Sequence, residues 1–160
     1  MVEVTKEEKH LKILMAISAI TYLIVGFAFL IAPELILKAL NLVSQIITPA
    51  LPEIPTSTGK FWVSLSFSMM MTIAVLCYIA QHNVRKNKGY IIPLLISKTA
   101  SALSGLFLFA FSARYLANLG ITLVDGSIFW ITLFFYLRAN RAFFEAQTAY
   151  LRKKPAAPAS

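Results

Sequence analysis

The chain has 160 residues, of which 58% are apolar and 14% are charged, and its formal net charge is +8. Soluble domains average roughly 45–50% apolar and 25% charged residues, so this composition excludes a soluble globule or a disordered chain and indicates a membrane protein. Its fifteen Lys and Arg residues flank apolar segments, so the charge does not predict nucleic-acid binding. Cys77 is the single cysteine, which excludes an intrachain disulfide framework and a cysteine-based metal site.

Four apolar segments are long enough to cross a bilayer, because about 20 helical residues span a hydrocarbon core about 30 Å thick. They cover residues 13–33, 61–81, 90–112 and 118–138. The sequence predicts an all-α integral membrane four-helix bundle that forms one domain over residues 1–150. Residues 151–160 have the composition of a flexible cytoplasmic tail.

The connection between the first two apolar segments is the longest. Polar residues recur there at spacings of four, three and four among apolar neighbours, at Glu34, Lys38, Asn41 and Gln45. This pattern predicts an amphipathic interfacial helix over residues 34–47 on the outer surface, followed by an extended return through Thr58 and Gly59. The alternative is that the first helix continues past the membrane.

Orientation follows from the basic residues, because cytoplasmic loops retain Lys and Arg. Eleven lie in the N-terminus, the loop after the second segment and the C-terminus, three lie on the opposite side, and Lys98 lies inside a segment. The asymmetry predicts that both termini are cytoplasmic, in a bacterial inner membrane.

Two ionisable residues lie deep inside apolar segments. Lys98 is about 12 Å along its helix from Tyr90, and Asp125 is about 18 Å along its helix from Leu137, at 1.5 Å per residue. Their depths differ by about one turn, so a pair between helices is feasible. A charge in hydrocarbon costs at least about 2.5–3.5 kcal/mol. A fixed ion pair, a substrate, cofactor or proton site, and snorkelling to an interface all remain open.

Tyr22, Thr72 and Ser101 occur at comparable depth and are candidates to line a buried polar site with that pair. Small residues also recur every four positions on the second and third segments, which is typical of close helix packing, and packing is the favoured interpretation. Several residues are predicted to contact lipid headgroups or the membrane interface: Trp62, Arg85, Lys86, Lys88 and Arg114.

The sequence contains no complete catalytic or metal motif, so we expect no catalytic residues, no metal site and no cofactor. His10 and His82 fall at cytoplasmic helix ends and could offer axial ligands to a haem, and a bound quinone is the other cofactor considered. Because neither histidine lies inside an apolar segment, solvated loop histidines are the favoured interpretation.

Four local features stand out along the chain: the end of the first segment in IAPELILKALNL, the TGKFW start of the second, a short basic inner loop, and Asp125 followed by Gly126 in the fourth. In these features the chain resembles the small four-helix membrane proteins of the DoxX-like superfamily. Members of that superfamily are often accessory subunits of quinone-linked or thiol-redox assemblies. The resemblance therefore implies an auxiliary role here.

Three functions are compatible with these features. The first is a non-catalytic accessory or assembly subunit that packs against a larger membrane complex or against itself. The second is a small oligomeric transporter or ligand-binding protein with a site at Lys98, Asp125 and Tyr22. The third is a quinone- or lipid-linked redox subunit. The expected partners are the lipid bilayer and other membrane subunits or further copies of the chain.

Overall fold

The computed structural model describes residues 4–55, 60–112 and 114–153, which are all-helical with no strand among them. The elements are α1 (Lys6–Ile31), α2 (Pro33–Ile47), α3 (Lys60–His82), α4 (Val84–Asn87), a 3₁₀ turn (Lys88–Tyr90), α5 (Ile91–Phe111) and α6 (Leu116–Lys153). Four stretches are long and apolar enough to cross a membrane: Lys6–Ile31, Trp62–His82, Val84–Phe111 and Leu116–Ala149. The chain is therefore a helical membrane protein by the length and composition of its helices.

The first helix begins before the apolar segment and ends before Pro33. Thr5 caps it, because its hydroxyl accepts a hydrogen bond from the Glu8 amide while the Glu8 carboxylate accepts from the Thr5 amide. At the other end Ala32 leaves the helical region, with φ −135° and ψ 52°. A residue before proline disfavours helical angles, so α1 stops and α2 starts anew at Pro33. Continuation of the first helix past this point does not occur.

Helix α2 buries two of its polar side chains and exposes most of its large apolar ones. Asn41 and Ser44 are buried, whereas Leu35, Ile46 and Ile47 are exposed. The Asn41 amide donates to the Ile54 carbonyl at 2.9 Å and accepts from the Ile54 amide at 2.8 Å. These two bonds fold the following segment back along α2. The predicted return through Thr58 and Gly59 lies outside the described residues.

The connection from α3 to α5 is ordered as short helical turns. Asn83 caps α4 by accepting a hydrogen bond from the Lys86 amide, and the Asn87 side chain donates to the Ile79 carbonyl at 2.8 Å. Both asparagines satisfy backbone groups that a chain reversal leaves unpaired.

The last helix extends well beyond the apolar segment 118–138. α6 has 38 residues. At 1.5 Å per residue it is about 57 Å long, nearly twice the thickness of a bilayer core. It includes residues 151–153, where the sequence predicted the start of a flexible tail. The rest of that tail, residues 154–160, lies outside the described residues.

The long helices pack as two pairs, α1 with α3 and α5 with α6, and the pairs meet through contacts of α1 with α6 and of α3 with α5. Leu11, Met15, Cys77, Ile91 and Leu94 are buried in the centre. Most other large apolar side chains face outward. This arrangement is the one expected of helices whose outer solvent is lipid.

Candidate functional site

The two ionisable residues of the apolar segments form a buried ion pair. The Nζ atom of Lys98, on α5, lies 2.9 Å from Oδ1 of Asp125, on α6. The Lys98 side chain is 9% exposed and that of Asp125 is 15% exposed. The pair therefore joins two neighbouring helices in an environment where an unpaired charge is costly.

A third helix contributes an aromatic ring to the pair. The Lys98 Nζ atom lies 4.6 Å from the centroid of the Tyr22 ring, which comes from α1. This distance is within the range of a cation–π contact, which stabilises the ammonium group further. The Tyr22 hydroxyl is buried and forms no hydrogen bond of good geometry with the described residues. Tyr22, Lys98 and Asp125 together are called the central cluster below.

The remaining predicted members of this site are placed differently. Thr72 is exposed on α3, and its hydroxyl donates to the Ser68 carbonyl at 2.9 Å. Ser101 is half-buried on α5, and its carbonyl accepts a hydrogen bond from the Ser104 hydroxyl. The hydroxyl of Thr72 is satisfied by its own helix, as is common for threonine in membrane helices.

Two cavities are described in this structure, and the Lys98–Asp125 pair lines neither of them. One, of about 10 Å³, lies where α1, α4 and α6 meet, and the other is an open depression of about 390 Å³ at the α1–α2 corner around Pro33. The central cluster is thus packed between helices rather than presented to either cavity.

A second ion pair, which the sequence reasoning missed, lies beside the smaller cavity. Arg85 Nε donates to Glu8 Oε1 at 2.5 Å and Arg85 Nη2 donates to Oε2 at 2.9 Å. The Arg85 guanidinium also lies 5.1 Å from the centroid of the Phe143 ring of α6. The Thr-x-x-Glu pattern at Thr5–Glu8 predicts a capping box, which would fix the position of Glu8 at the start of a helix. This pattern does not identify Arg85 as the partner of Glu8.

Glu8 precedes the apolar segment that begins at residue 13, and its environment favours the charged form. Burial by itself raises the pKa of the Glu8 carboxyl, but hydrogen bonds from Arg85 and Thr5 and the charge of Arg85 outweigh it. The pKa of Glu8 therefore lies below its ordinary value of 4.5.

The other predicted interface residues lie at the two ends of the molecule. Lys88 contacts Asn140 of α6 with Nζ 3.4 Å from Oδ1, whereas the Lys86 side chain is exposed. Trp62 is 62% exposed near the start of α3, and Arg114 is exposed just before α6. These residues lie near helix ends, and their contact with a membrane interface stays a prediction.

The two histidines each contact aromatic side chains or backbone near helix ends. His10 lies edge-on to Phe135 with ring centroids 6.0 Å apart, and His82 Nδ1 lies 2.9 Å from the Tyr78 carbonyl oxygen. Within the described part of the chain, no group of three or more His, Cys, Asp or Glu residues could hold a metal ion.

Comparisons with protein-family models, curated proteins and solved structures give no match for this chain.

Proposed function

We propose that this chain is a non-catalytic accessory or assembly subunit of the membrane, which packs against a larger membrane complex or against further copies of itself. The observation that carries the proposal is the enclosed Lys98–Asp125 pair, which links α5 to α6. A pair of this kind fixes the register of two helices, because sliding either one separates the charges.

The low exposure of the pair, 9% for the Lys98 side chain and 15% for that of Asp125, supports a structural role over a transport role. A transporter needs a site that is reached from one side of the membrane, and the Tyr22 ring instead covers the ammonium group of Lys98. The two described cavities lie at helix ends, away from the pair.

The outward surface supports contacts with other protein. Trp130 lies within the apolar part of α6 and is 67% exposed, although tryptophan usually lies at membrane interfaces. On α3, Ser64, Ser68 and Thr72 are all exposed at four-residue spacing. Small side chains at this spacing let another helix approach closely.

In the proposed arrangement the four long helices form a transmembrane bundle and α2 lies in the outer interface of a bacterial cytoplasmic membrane. The outward apolar face of α2 and the basic residues around α4 support this orientation. Both termini are then cytoplasmic. The resemblance to the DoxX-like superfamily points to the same auxiliary role.

Orientation is tested by labelling single cysteines in a Cys77→Ser protein in intact cells with a membrane-impermeant maleimide. Lys9 and Lys38 are both exposed and lie on opposite predicted sides. We expect Lys38→Cys to react in intact cells and Lys9→Cys to react only after permeabilisation. The reverse pattern would contradict the proposed topology.

The accessory role is tested by native mass spectrometry of the protein extracted gently from its own membrane. We expect a fixed stoichiometry with larger subunits or with further copies, and we expect Lys98→Leu and Asp125→Asn to weaken the assembly. Arg141→Gln is the matched control, because its pair with Glu145 is exposed, with side chains 84% and 67% accessible. A monomer that carries a small molecule would contradict the proposal.

Ligand binding at the central cluster is the second candidate, and the buried Tyr22 hydroxyl, which forms no hydrogen bond of good geometry with the described residues, favours it. A ligand oxygen or a water molecule could form that bond. This function requires that Lys98→Leu and Tyr22→Phe assemble normally but lose a bound small molecule. Loss of assembly in Lys98→Leu supports the accessory role instead.

A further inference from the structure

The small cavity of about 10 Å³ has both polar and apolar walls. Leu11, Val84 and Tyr136 supply apolar surface, and the polar groups come from Glu8, Arg85, Lys88 and Asn140. A volume of this size accommodates about one water molecule or a single ligand oxygen. It lies at the end of the molecule where α1, α4 and α6 meet.

Among the described residues that line this cavity, the cations outnumber the carboxylates, with Arg85 and Lys88 against Glu8. Glu8 and Arg85 neutralise each other through two hydrogen bonds. In the described part of the chain, no carboxylate lies within ion-pair distance of Lys88. Its Nζ atom approaches only neutral groups, with Asn140 Oδ1 at 3.4 Å and the Phe143 and Phe144 ring centroids at 6.0 and 5.7 Å. Among the described residues, Lys88 is therefore a cationic group at this site that a single anion would complement.

The site also lies at the depth of lipid headgroups. Lys88 comes three residues before α5 begins at Ile91, and Asn140 comes just after the apolar segment 118–138 of α6. Next to these polar groups, Phe144 is 58% exposed. A headgroup at this level would place its phosphate on Lys88 and its glycerol and upper acyl chains against the aromatic ring.

We propose that Lys88 and Asn140 bind the phosphodiester group of one anionic phospholipid. The cavity is too small for a whole phosphate, so the group lies at its opening with at most one oxygen inside. The Lys88 ammonium donates a charge-assisted hydrogen bond, and the Asn140 side-chain nitrogen supplies a second donor. The bound lipid joins the α4 corner to α6, and this site does not depend on the accessory role proposed above.

The test is lipid retention by the purified full-length chain in an uncharged detergent. Native mass spectrometry compares phosphatidylglycerol with phosphatidylcholine for the wild type, Lys88→Gln and Lys86→Gln. Lys86→Gln is the matched control, because it removes the same charge from an exposed lysine of α4. An uncharged micelle has no anionic surface that attracts exposed lysines in general, so a loss of lipid reports on a specific site. We expect one retained phosphatidylglycerol in the wild type, about a tenfold loss in Lys88→Gln, and less than about a twofold loss in Lys86→Gln.

A conservative variant and a folding check separate loss of the lipid site from loss of the fold. Lys88→Arg should retain the lipid within about threefold, because it keeps the charge and adds donors. Protection of the buried Cys77 thiol from a maleimide dye checks that each variant is folded. Equal retention of the two lipids, or equal losses in Lys88→Gln and Lys86→Gln, would overturn the proposal. Displacement of the lipid by millimolar inorganic phosphate would assign the site to free phosphate instead.

Discussion

Breaking the Lys98–Asp125 pair gives the sharpest test of the central cluster. The two side chains are 9% and 15% exposed, so removing one partner leaves a charge in an apolar surrounding. Such a loss typically costs about 3–5 kcal/mol of unfolding free energy.

Lys98→Met and Asp125→Asn are each expected to show a loss of this size, because each leaves one charge of the pair without its partner. The double variant Lys98→Met/Asp125→Asn leaves no charge and should lie within about 1 kcal/mol of the wild type. The expected coupling energy between the two positions is at least about 2 kcal/mol.

The assay uses the single cysteine as its probe. Cys77 is 1% exposed, so a short pulse of thiol-reactive dye labels only unfolded molecules as denaturing detergent is added to mixed micelles. Arg141→Gln removes an exposed pair on the same helix and should change stability by at most about 0.5 kcal/mol. The reasoning fails if both single variants match this control, or if the double variant loses the sum of the two single losses.

Three further predictions concern packing, the α2 return and pH. Gly105→Ala should lose about 1–3 kcal/mol of unfolding free energy, because a Cβ there would lie 2.7 Å from a backbone oxygen of α6. A Cβ added at Gly120 would meet nothing within 4 Å, so Gly120→Ala should lose none in the same unfolding assay. Asn41→Leu leaves the Ile54 backbone groups unpaired and should speed hydrogen exchange of the Ile54 amide about tenfold or more; unchanged exchange would contradict the two observed bonds. The folded pKa of Glu8 lies below 4.5, so its ion pair with Arg85 contributes its full stabilisation above that pH and loses it as the pH falls through the folded value. The difference in melting temperature between the wild type and Glu8→Gln should therefore stay constant from pH 8 to 6 and close only below pH 4.5.

Local sequence patterns were sufficient to predict the long helices and the break between α1 and α2. A long apolar run in lipid must satisfy its backbone hydrogen bonds within its own segment, so the helical state of α1, α3, α5 and α6 follows from composition. Pro33 separates α1 from α2 for a local reason, since its ring and its missing amide hydrogen interrupt a helix.

The positions of the side chains required the tertiary structure. The depth estimates made a Lys98–Asp125 pair feasible, but they did not give the rotation of α5 and α6 that brings the atoms to 2.9 Å. Thr72 has the depth of the cluster, and yet it lies on the exposed face of α3. Rotation of a helix about its axis depends on packing with its neighbours, and depth along the axis carries no information about it.

The sequence by itself determined that this is a helical membrane protein with four apolar segments and two ionisable residues deep inside them, because these properties depend on hydrocarbon thickness and on local charge. Only the tertiary structure decided that Tyr22 covers Lys98, that Glu8 binds Arg85, and that Lys88 is left without a carboxylate among the described residues. Glu8 and Arg85 are 77 positions apart. Contacts at such separations depend on how whole helices pack, and no local pattern specifies them.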